Sequence, residues 1–461
     1  MASGKNISGV PRARVFVFVF ARRALGAAAL CGVCAGCVRT PNDGARSGFD
    51  ANLPAPANFE VDGAPLCFEG ANNYYVTYKP KPMVDELFES ARAMGVKVVR
   101  IWGFIDRGSL DGTVRSTDGE GSKDGIYFQA WDPKTQHATY NDGPDGLQKL
   151  DYALDKARQS GLKVVVVLTN NWHEFGGIDQ YLAWYGLSAH REFYTTPAIK
   201  QAYEDWLAHL VLRENVINHR LYRDDPTIFA WELGNEPRVE SGSPSAVLTA
   251  WASEMSGYLK SLDPNHLIAV GDEGFLDGGG PHWTYRAQDG VDHRALTELP
   301  GIDYGTFHMY PDDWGAGSAW VERWISDHER IARELGKPTV LEEYGVRVSR
   351  DASGRIIDGL DRRLSAYAHW NDLVSKNDGN ASMFWMLAGA DSAGGVYKDY
   401  DGYSVYRGDE SANLLADFAK RFASAAPACR LAASVSARPS PFVRVRRPAP
   451  TAALSWLSSD G

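Results

Sequence analysis

The sequence is short of positive charge. Its 48 Lys and Arg are outnumbered by 58 Asp and Glu, a formal net charge of -10, and no basic face appears in the central region. That balance argues against nucleic acid as a partner, because phosphate binding needs clustered cations, and it favours a neutral or cationic ligand. Long apolar runs are also missing: apart from the N-terminus, nothing approaches the roughly 20 residues that span a bilayer. Cysteine is scarce. Three of the five, Cys31, Cys34 and Cys37, lie in the N-terminal stretch, which leaves no CxxC pair elsewhere and only Cys67 and Cys429 as disulfide candidates. HExxH is absent and the 11 histidines are scattered, so no metal site is expected. No GxGxxG follows the first strand candidate, which counts against a dinucleotide fold.

What the chain does have is bulk and aromatic surface. With 461 residues, 44% of them hydrophobic, it is long enough for one large domain or two ordinary ones. Its 14 Trp and 21 Tyr supply flat apolar faces, most of them for a core, though sugar-binding clefts use such faces too.

The two ends read differently from the middle. In "FARRALGAAALCGVCAGC", Arg22 and Arg23 precede a small, apolar run over residues 24–36, the order of a bacterial secretory signal, so export is expected. "CAGC", ending at Cys37, is similar to a lipoprotein processing box, with Cys34 where Leu is usual; a lipid anchor on Cys37 and simple cleavage both stay open. Residues 1–37 read as this signal, 38–47 as a linker, and 48–426 as the folded domain of an extracytoplasmic protein expected to be monomeric. From Pro427 onward the chain is rich in Pro, Ala, Ser and Arg, and residues 427–461 read as a disordered tail.

Between these ends, apolar runs alternate with helical patterns. The strand candidates are "PLCFEGANNYY", "VKVVRIWGF", "LKVVVVLTNNW", "TIFAWELGNEP", "HLIAVGDEGF", "IDYGTFHMYP", "PTVLEEYG" and "SMFWMLAG". Helical segments such as "MVDELFESARAMG" and "WVERWISDHERIARELG" lie between most of them and stop near Gly or Pro. Alternating strand and helix implies a parallel sheet, and eight such units favour a closed (β/α)8 TIM barrel with long loops at 105–145 and 276–300.

Active groups in such a barrel gather at the C-terminal ends of the strands. There the chain presents Arg100 and Trp102, then Asn170, Asn171 and Trp172, then Asn235, Glu236 and Arg238, then His308 and Tyr310, then Glu342 and Glu343, then Trp385. Two glutamates on separate strands at one rim are what retaining glycoside hydrolysis requires: one protonates the leaving oxygen, the other attacks the anomeric carbon. Of the adjacent pair Glu342 and Glu343, strand alternation turns only one toward the lumen.

The ordered set "VVRIWGF", "TNNW", "WELGNEPR", "FHMYPDDW" and "VLEEYG" resembles glycoside hydrolase family 5, and most closely its endo-β-1,4-mannanases, over about residues 60–425. The resemblance implies Glu236 as acid/base and Glu343, followed by an aromatic residue and Gly, as nucleophile, with Glu342 its inert neighbour. It further implies that Asn235 bonds the sugar 2-hydroxyl and that Arg100 and Tyr310 bond the nucleophile. His308 then lines the site, Trp385 forms the floor beneath the reacting sugar, and Arg238 and Trp172 serve the leaving-group side. Trp102 and Asn171, at the same rim, complete the candidate substrate-binding set. Asp272 and Glu273, in "GDEGF", read as a rim turn or hydrogen-bond support. The implied reaction needs no cofactor and takes a β-mannan-type polysaccharide. A β-1,4-glucanase, an exo-β-mannosidase, a transglycosylase or a carbohydrate-binding protein on a decayed barrel would use the same rim.

Overall fold

The computed structural model describes residues 55–119, 121–377, 379–425 and 440–447. The signal and linker expected over 1–47 therefore lie outside the described residues.

All eight expected strands form, as β1 (Phe68–Asn73), β2 (Val98–Trp102), β3 (Lys163–Val167), β4 (Ile228–Glu232), β5 (Leu267–Ala269), β6 (Gly305–Met309), β7 (Thr339–Tyr344) and β8 (Ala381–Phe384). Their order in the sheet is β5-β4-β3-β2-β1-β8-β7-β6, every pairing parallel, so β1 meets β8 across the seam. The two outer strands meet through Asp303 N–H to Ile268 O at 2.8 Å and His308 N–H to Glu273 O at 3.1 Å, which brings the sheet round into a barrel.

One helix packs outside the barrel after each strand, as α1 (Lys81–Met94), α2 (Gln148–Gln159), α3 (Pro197–Val211), α4 (Ser245–Leu262), α5 (His293–Glu298), α6 (Ser318–Leu335), α7 (Leu360–Lys376) and α8 (Glu410–Ala425), with shorter helical pieces at Gly177–Trp184, Arg191–Thr195 and Pro311–Trp314. Each long helix buries one stripe. On α6 it is Val321, Trp324, Ile325, His328, Ile331 and Ala332, the helical period of three and four residues, and the helix stops at Gly336 with φ 64°. Strand alternation sorts side chains between two cores: Val98 joins the lumen cluster with Phe68, Val165 and Val340, while Val99 and Ile101 face the helices. The long loop at 105–145 holds its own sheet of Asp106–Ser109, Gln129–Asp132 and His137–Tyr140.

The N-terminal end of the barrel is closed by an antiparallel hairpin, Asn58–Val61 with Ala64–Leu66. Phe59 drops into the lumen, its ring centroid 5.0 Å from Phe229, 5.4 Å from Tyr304 and 6.1 Å from Phe68.

The structure corrects the reading of 427–461 as wholly disordered. Arg444–Arg446 pairs antiparallel with Asn58–Val61 as a third strand, Val443 is buried in the lumen cluster, and Lys163 Nζ donates to Pro441 O at 2.8 Å. The hairpin's outer strand offers unpaired backbone groups, and Val443 and Val445 have the branched side chains that suit a strand, features that tail composition masked. The rest of the tail lies outside the described residues. Cys67 is disulfide-bonded. No helix among the described residues is long and apolar enough to cross a membrane.

Candidate active site

At the C-terminal rim the strands deliver a layered charge network. Its lower layer has no exposure: Arg100 on β2, Glu232 on β4 and Glu342 on β7 are each 0% exposed, whereas Glu236 and Glu343 above them keep 8% and 4%. Arg100 organises both layers. Its Nε donates to Glu232 Oε2 at 2.8 Å and its Nη2 pairs with the other Glu232 oxygen, a fork-on-fork geometry that lysine lacks. Its Nη1 donates to Glu343 Oε1 at 2.6 Å and Asn72 Oδ1 at 3.2 Å, and Nη2 also reaches Asn235 Oδ1 at 2.8 Å.

The upper layer brings Glu236, His308, Tyr310, Glu343 and Trp172 together. Tyr310 O–H donates to Glu343 Oε2 at 2.7 Å, so both oxygens of that carboxylate are held by fixed donors. His308 Nδ1 lies 2.8 Å from Glu236 Oε1 and 3.7 Å from Glu343 Oε2. Trp172 Nε1–H donates to Glu236 Oε2 at 2.6 Å, so this tryptophan holds the carboxylate as well as walling the cleft. Glu236 itself sits at φ 51°, a left-handed conformation that a non-glycine residue keeps only when its surroundings impose it. They do: Asn235 N–H bonds Thr169 O and Glu236 N–H bonds Gly271 O, both at 2.8 Å. Gly271 is required there, since a Cβ would meet Gly234 O at 2.1 Å and Glu232 Oε1 at 2.2 Å.

Burial raises the carboxyl of Glu343 above its ordinary value, against the pull of His308 and Arg100. At Glu236 burial is overcome by the hydrogen bond and charge of His308, and the net direction is down. Burial also opposes the charge on His308, yet Glu343, Glu236 and Glu342 hold its imidazolium well above the usual range. Glu236 and His308 thus share one short hydrogen bond between Oε1 and Nδ1.

The alternation argument for Glu342 and Glu343 fails. Between Phe307/His308 on β6 and Leu341/Glu343 on β7 the register shifts by one residue, a β-bulge that places both glutamates inside the barrel. Glu342 lies below its neighbour, 3.6 Å from both Arg100 Nε and His308 Nε2. Arg238 is less free than its strand-end position implies: Nε and Nη2 bond both oxygens of Glu273 at 2.6 and 2.7 Å, and Nη1 bonds Asp289 at 3.1 Å. The guanidinium lies between the rings of Trp172 and Phe275 at 5.3 and 4.9 Å. The side chain of Asn171 accepts from Arg238 N–H at 3.3 Å, and it is Asn170 whose amide oxygen meets Asn235, at 3.0 Å. Trp102 is enclosed, 5.1 Å under the Arg100 guanidinium and 5.9 Å from Trp385. Trp385 lies at the rim beside Tyr74, the rings stacked at 6.0 Å.

With this geometry, comparison with known proteins becomes informative. Residues 114–368 match the model of the GH family 5 beta-mannosidase-like group. The chain belongs to that family. The mannan endo-1,4-beta-mannosidase F of Aspergillus clavatus is 34% identical over 357 residues, 76% of this chain and 74% of that protein. Among solved structures, the endo-1,4-beta-mannanase of Rhizomucor miehei superposes with a TM-score of 0.71 at 32% identity, over 81% of this chain and 99% of that one. The endo-beta-1,4-mannanase of Thermotoga petrophila gives 0.67 at 40% identity, over 77% of each chain.

Sequence reasoning passed over Glu232 and Asn72, and of the rim pair Asn170 and Asn171 it took only Asn171 into the substrate-binding set. A signal was present for the first: a glutamate inside the apolar run "TIFAWEL" and an arginine inside "VVRIWGF" each demand a buried partner, and each is the other's. Glu236, His308 and Glu343 also present ligand atoms within 4.8 Å of one another, a spacing that a cation could use. All four carboxylate oxygens already bond Trp172, His308, Arg100 or Tyr310, and the Arg100 guanidinium supplies positive charge there.

Proposed function

We propose that this protein is an endo-β-1,4-mannanase that hydrolyses internal β-1,4-mannosidic bonds of mannan, glucomannan or galactomannan with retention of configuration. The observation that carries it is the spacing of Glu236 and Glu343, which bring carboxylate oxygens within 4.8 Å of each other. That matches the roughly 5 Å of direct attack and falls short of the roughly 6.5–9.5 Å that admits a water between them. Glu343 attacks C1 while the C1–O bond breaks, and the departing oxygen takes the proton held by the Glu236–His308 pair. Water then returns a proton to that pair as its oxygen attacks C1 and frees Glu343. The raised carboxyl of Glu343 sets the acid limb of activity, and loss of the proton shared by His308 and Glu236 sets the alkaline limb.

Mannan as substrate is supported by the names of the relatives and by Arg238, two residues beyond Glu236, whose guanidinium is held in a fixed orientation by Glu273 and Asp289. Release of reducing ends from mannan, cellulose and xylan, measured side by side with the anomeric form of the product by NMR, tests the reading. Mannooligosaccharides of retained configuration are expected. Equal cleavage of cellulose would make it a β-1,4-glucanase, and mannose alone would make it an exo-β-mannosidase. The apolar leader over 1–37 and the disulfide at Cys67 support action outside the cytoplasm, since disulfides persist in oxidising compartments. A lipid anchor on Cys37 belongs to the same reading: Cys37→Ser should free the protein from membranes, and unchanged membrane retention rejects the anchor.

A further inference from the structure

The loop over residues 398–404, which follows β8, supports the rim at two places. Asp401 Oδ2 accepts from Trp385 Nε1–H at 3.0 Å, and its Oδ1 accepts from Tyr403 N–H at 3.0 Å. Tyr403 in turn packs its ring 5.3 Å from that of Tyr310, the residue that bonds Glu343, and fixes its own hydroxyl on Asp313 Oδ2 at 2.6 Å. The loop is pinned from below. Asp399 accepts from Gly402 N–H at 2.9 Å, Ser404 N–H at 3.2 Å and Arg350 Nε at 3.2 Å, and Arg350 also pairs with Asp409. A buried ion pair thus holds one end of a short loop whose other carboxylate is aimed at the indole edge of the cleft floor.

We propose that Asp401 is a positioning residue: its carboxylate holds the Trp385 indole in the plane on which the reacting sugar rests, and through Tyr403 it couples that floor to Tyr310 and the nucleophile. The proposal rests on the glycosidase reading of the site. Burial and the neighbouring Asp399 push the Asp401 carboxyl up to about 6. The titratable groups facing it are Asp399 and Tyr403 on its own loop and Tyr74 beside Trp385, whose hydroxyl is tied to Tyr397 at 3.2 Å. Below about pH 6 the carboxyl gains a proton, accepts less strongly from the indole, and the floor loosens.

Two substitutions separate positioning from bulk structure. Asp401→Asn keeps an acceptor for the indole and cannot titrate, though its amide nitrogen replaces the Oδ1 that accepts from Tyr403 N–H. It should retain kcat/KM within about threefold at neutral pH, since a neutral hydrogen bond replaces a charged one. Asp401→Leu strands a buried N–H, and kcat on mannan should fall by about 10- to 100-fold with KM little changed, because other subsites still hold the polymer. In a Trp385→Phe background, Asp401→Leu should cost much less than in the wild type, the remainder being the link through Tyr403. The indole N–H resonance of Trp385, identified by its loss in Trp385→Phe, should shift through about pH 6 in the wild type and stay flat in Asp401→Asn. That readout needs no activity, so it judges the proposal even if the mannanase reading fails. A flat wild-type resonance, full activity in a folded Asp401→Leu, or equal losses in the Asn and Leu variants overturns the role.

Discussion

The two ends of this barrel are equally dry and built on opposite principles. At the N-terminal end, Phe59, Phe68, Phe229, Tyr304 and Val443 fill the lumen with rings and branched carbons. At the C-terminal end, the same lumen holds Arg100, Glu232, Glu342 and His308, all fully buried. Apolar packing asks only for shape, whereas buried ions must be matched charge for charge, and replacing such a set with fitted apolar groups is often stabilising. The charged layer bonds Glu343 through Arg100 and Glu236 through His308. Damage at either end should lower stability, but only damage at the rim should stop chemistry.

The largest effect tests the rim. Glu343→Ala should lower mannan hydrolysis by at least about 10⁴-fold, and azide should restore cleavage of an activated substrate by entering the space left by the carboxylate. Glu236→Ala should lose mannan activity comparably yet keep the first step on substrates with a good leaving group, which need little protonation. Equal losses on good and poor leaving groups would remove Glu236 from the acid role.

Arg100→Met breaks the comparison most directly, because it places an apolar side chain in the charged layer. Glu232 and Glu342 lose their shared cation, and the cost should be about 3–5 kcal/mol, the range seen when one partner of a buried pair is removed. Activity should fall by about 10²-fold or more, since Glu343 and Asn235 lose a common donor. Urea unfolding should show part of the stability returning on acidification, as the orphaned carboxylates take up protons. Loss of stability with intact turnover would mean that Arg100 only fills space.

At the other end, Phe59→Ala should cost a similar 3–5 kcal/mol or so by opening a cavity among three rings. Its kcat on mannan should stay within about twofold of wild type, because electrostatic preorganisation at the rim does not depend on the rings packed at the N-terminal end. A large fall in kcat with an intact melting transition would show that the two ends are coupled and sink the contrast.

These ends also differ in how plainly they could be read. All eight strands were legible, because apolar runs bounded by turn signals are local information, and Glu236 and Glu343 were legible because each closes a strand within a short motif. What was hidden depends on partners far apart in the chain. Arg238 reads as a free cation until Glu273 and Asp289 fold against it, and Asp401 is one acid among many in "KDYDGY" until its loop meets Trp385. The bulge that turns Glu342 inward is a register between β6 and β7, a property of neither strand alone. The strand at Arg444–Arg446 was masked by its Pro- and Arg-rich surroundings and became a strand because the floor hairpin offered it an edge.

The smallest expected effect concerns a buried acid that takes no part in the rim. Glu69 on β1 accepts from Ser382 Oγ at 2.6 Å and Tyr344 O–H at 2.7 Å, and burial pushes its carboxyl up to about 8 despite both bonds. In the unfolded chain the same group ionises near 4.5, so between these values the folded state binds more protons than the unfolded one. Stability from this group is complete below about pH 4.5 and is lost as pH rises through about 8, with a slope of at most about 1.4 kcal/mol per pH unit. Glu69→Gln removes the titration, its amide oxygen still accepting from Tyr344 O–H while its amide nitrogen donates to the Ser382 hydroxyl, so the difference in unfolding free energy between variant and wild type should grow in favour of the variant from pH 5 to 8. Parallel profiles over that range would show that Glu69 is ionised in the folded protein, its charge carried by Ser382 and Tyr344, and that buried carboxylates outside the charged layer are as well tolerated as those within it.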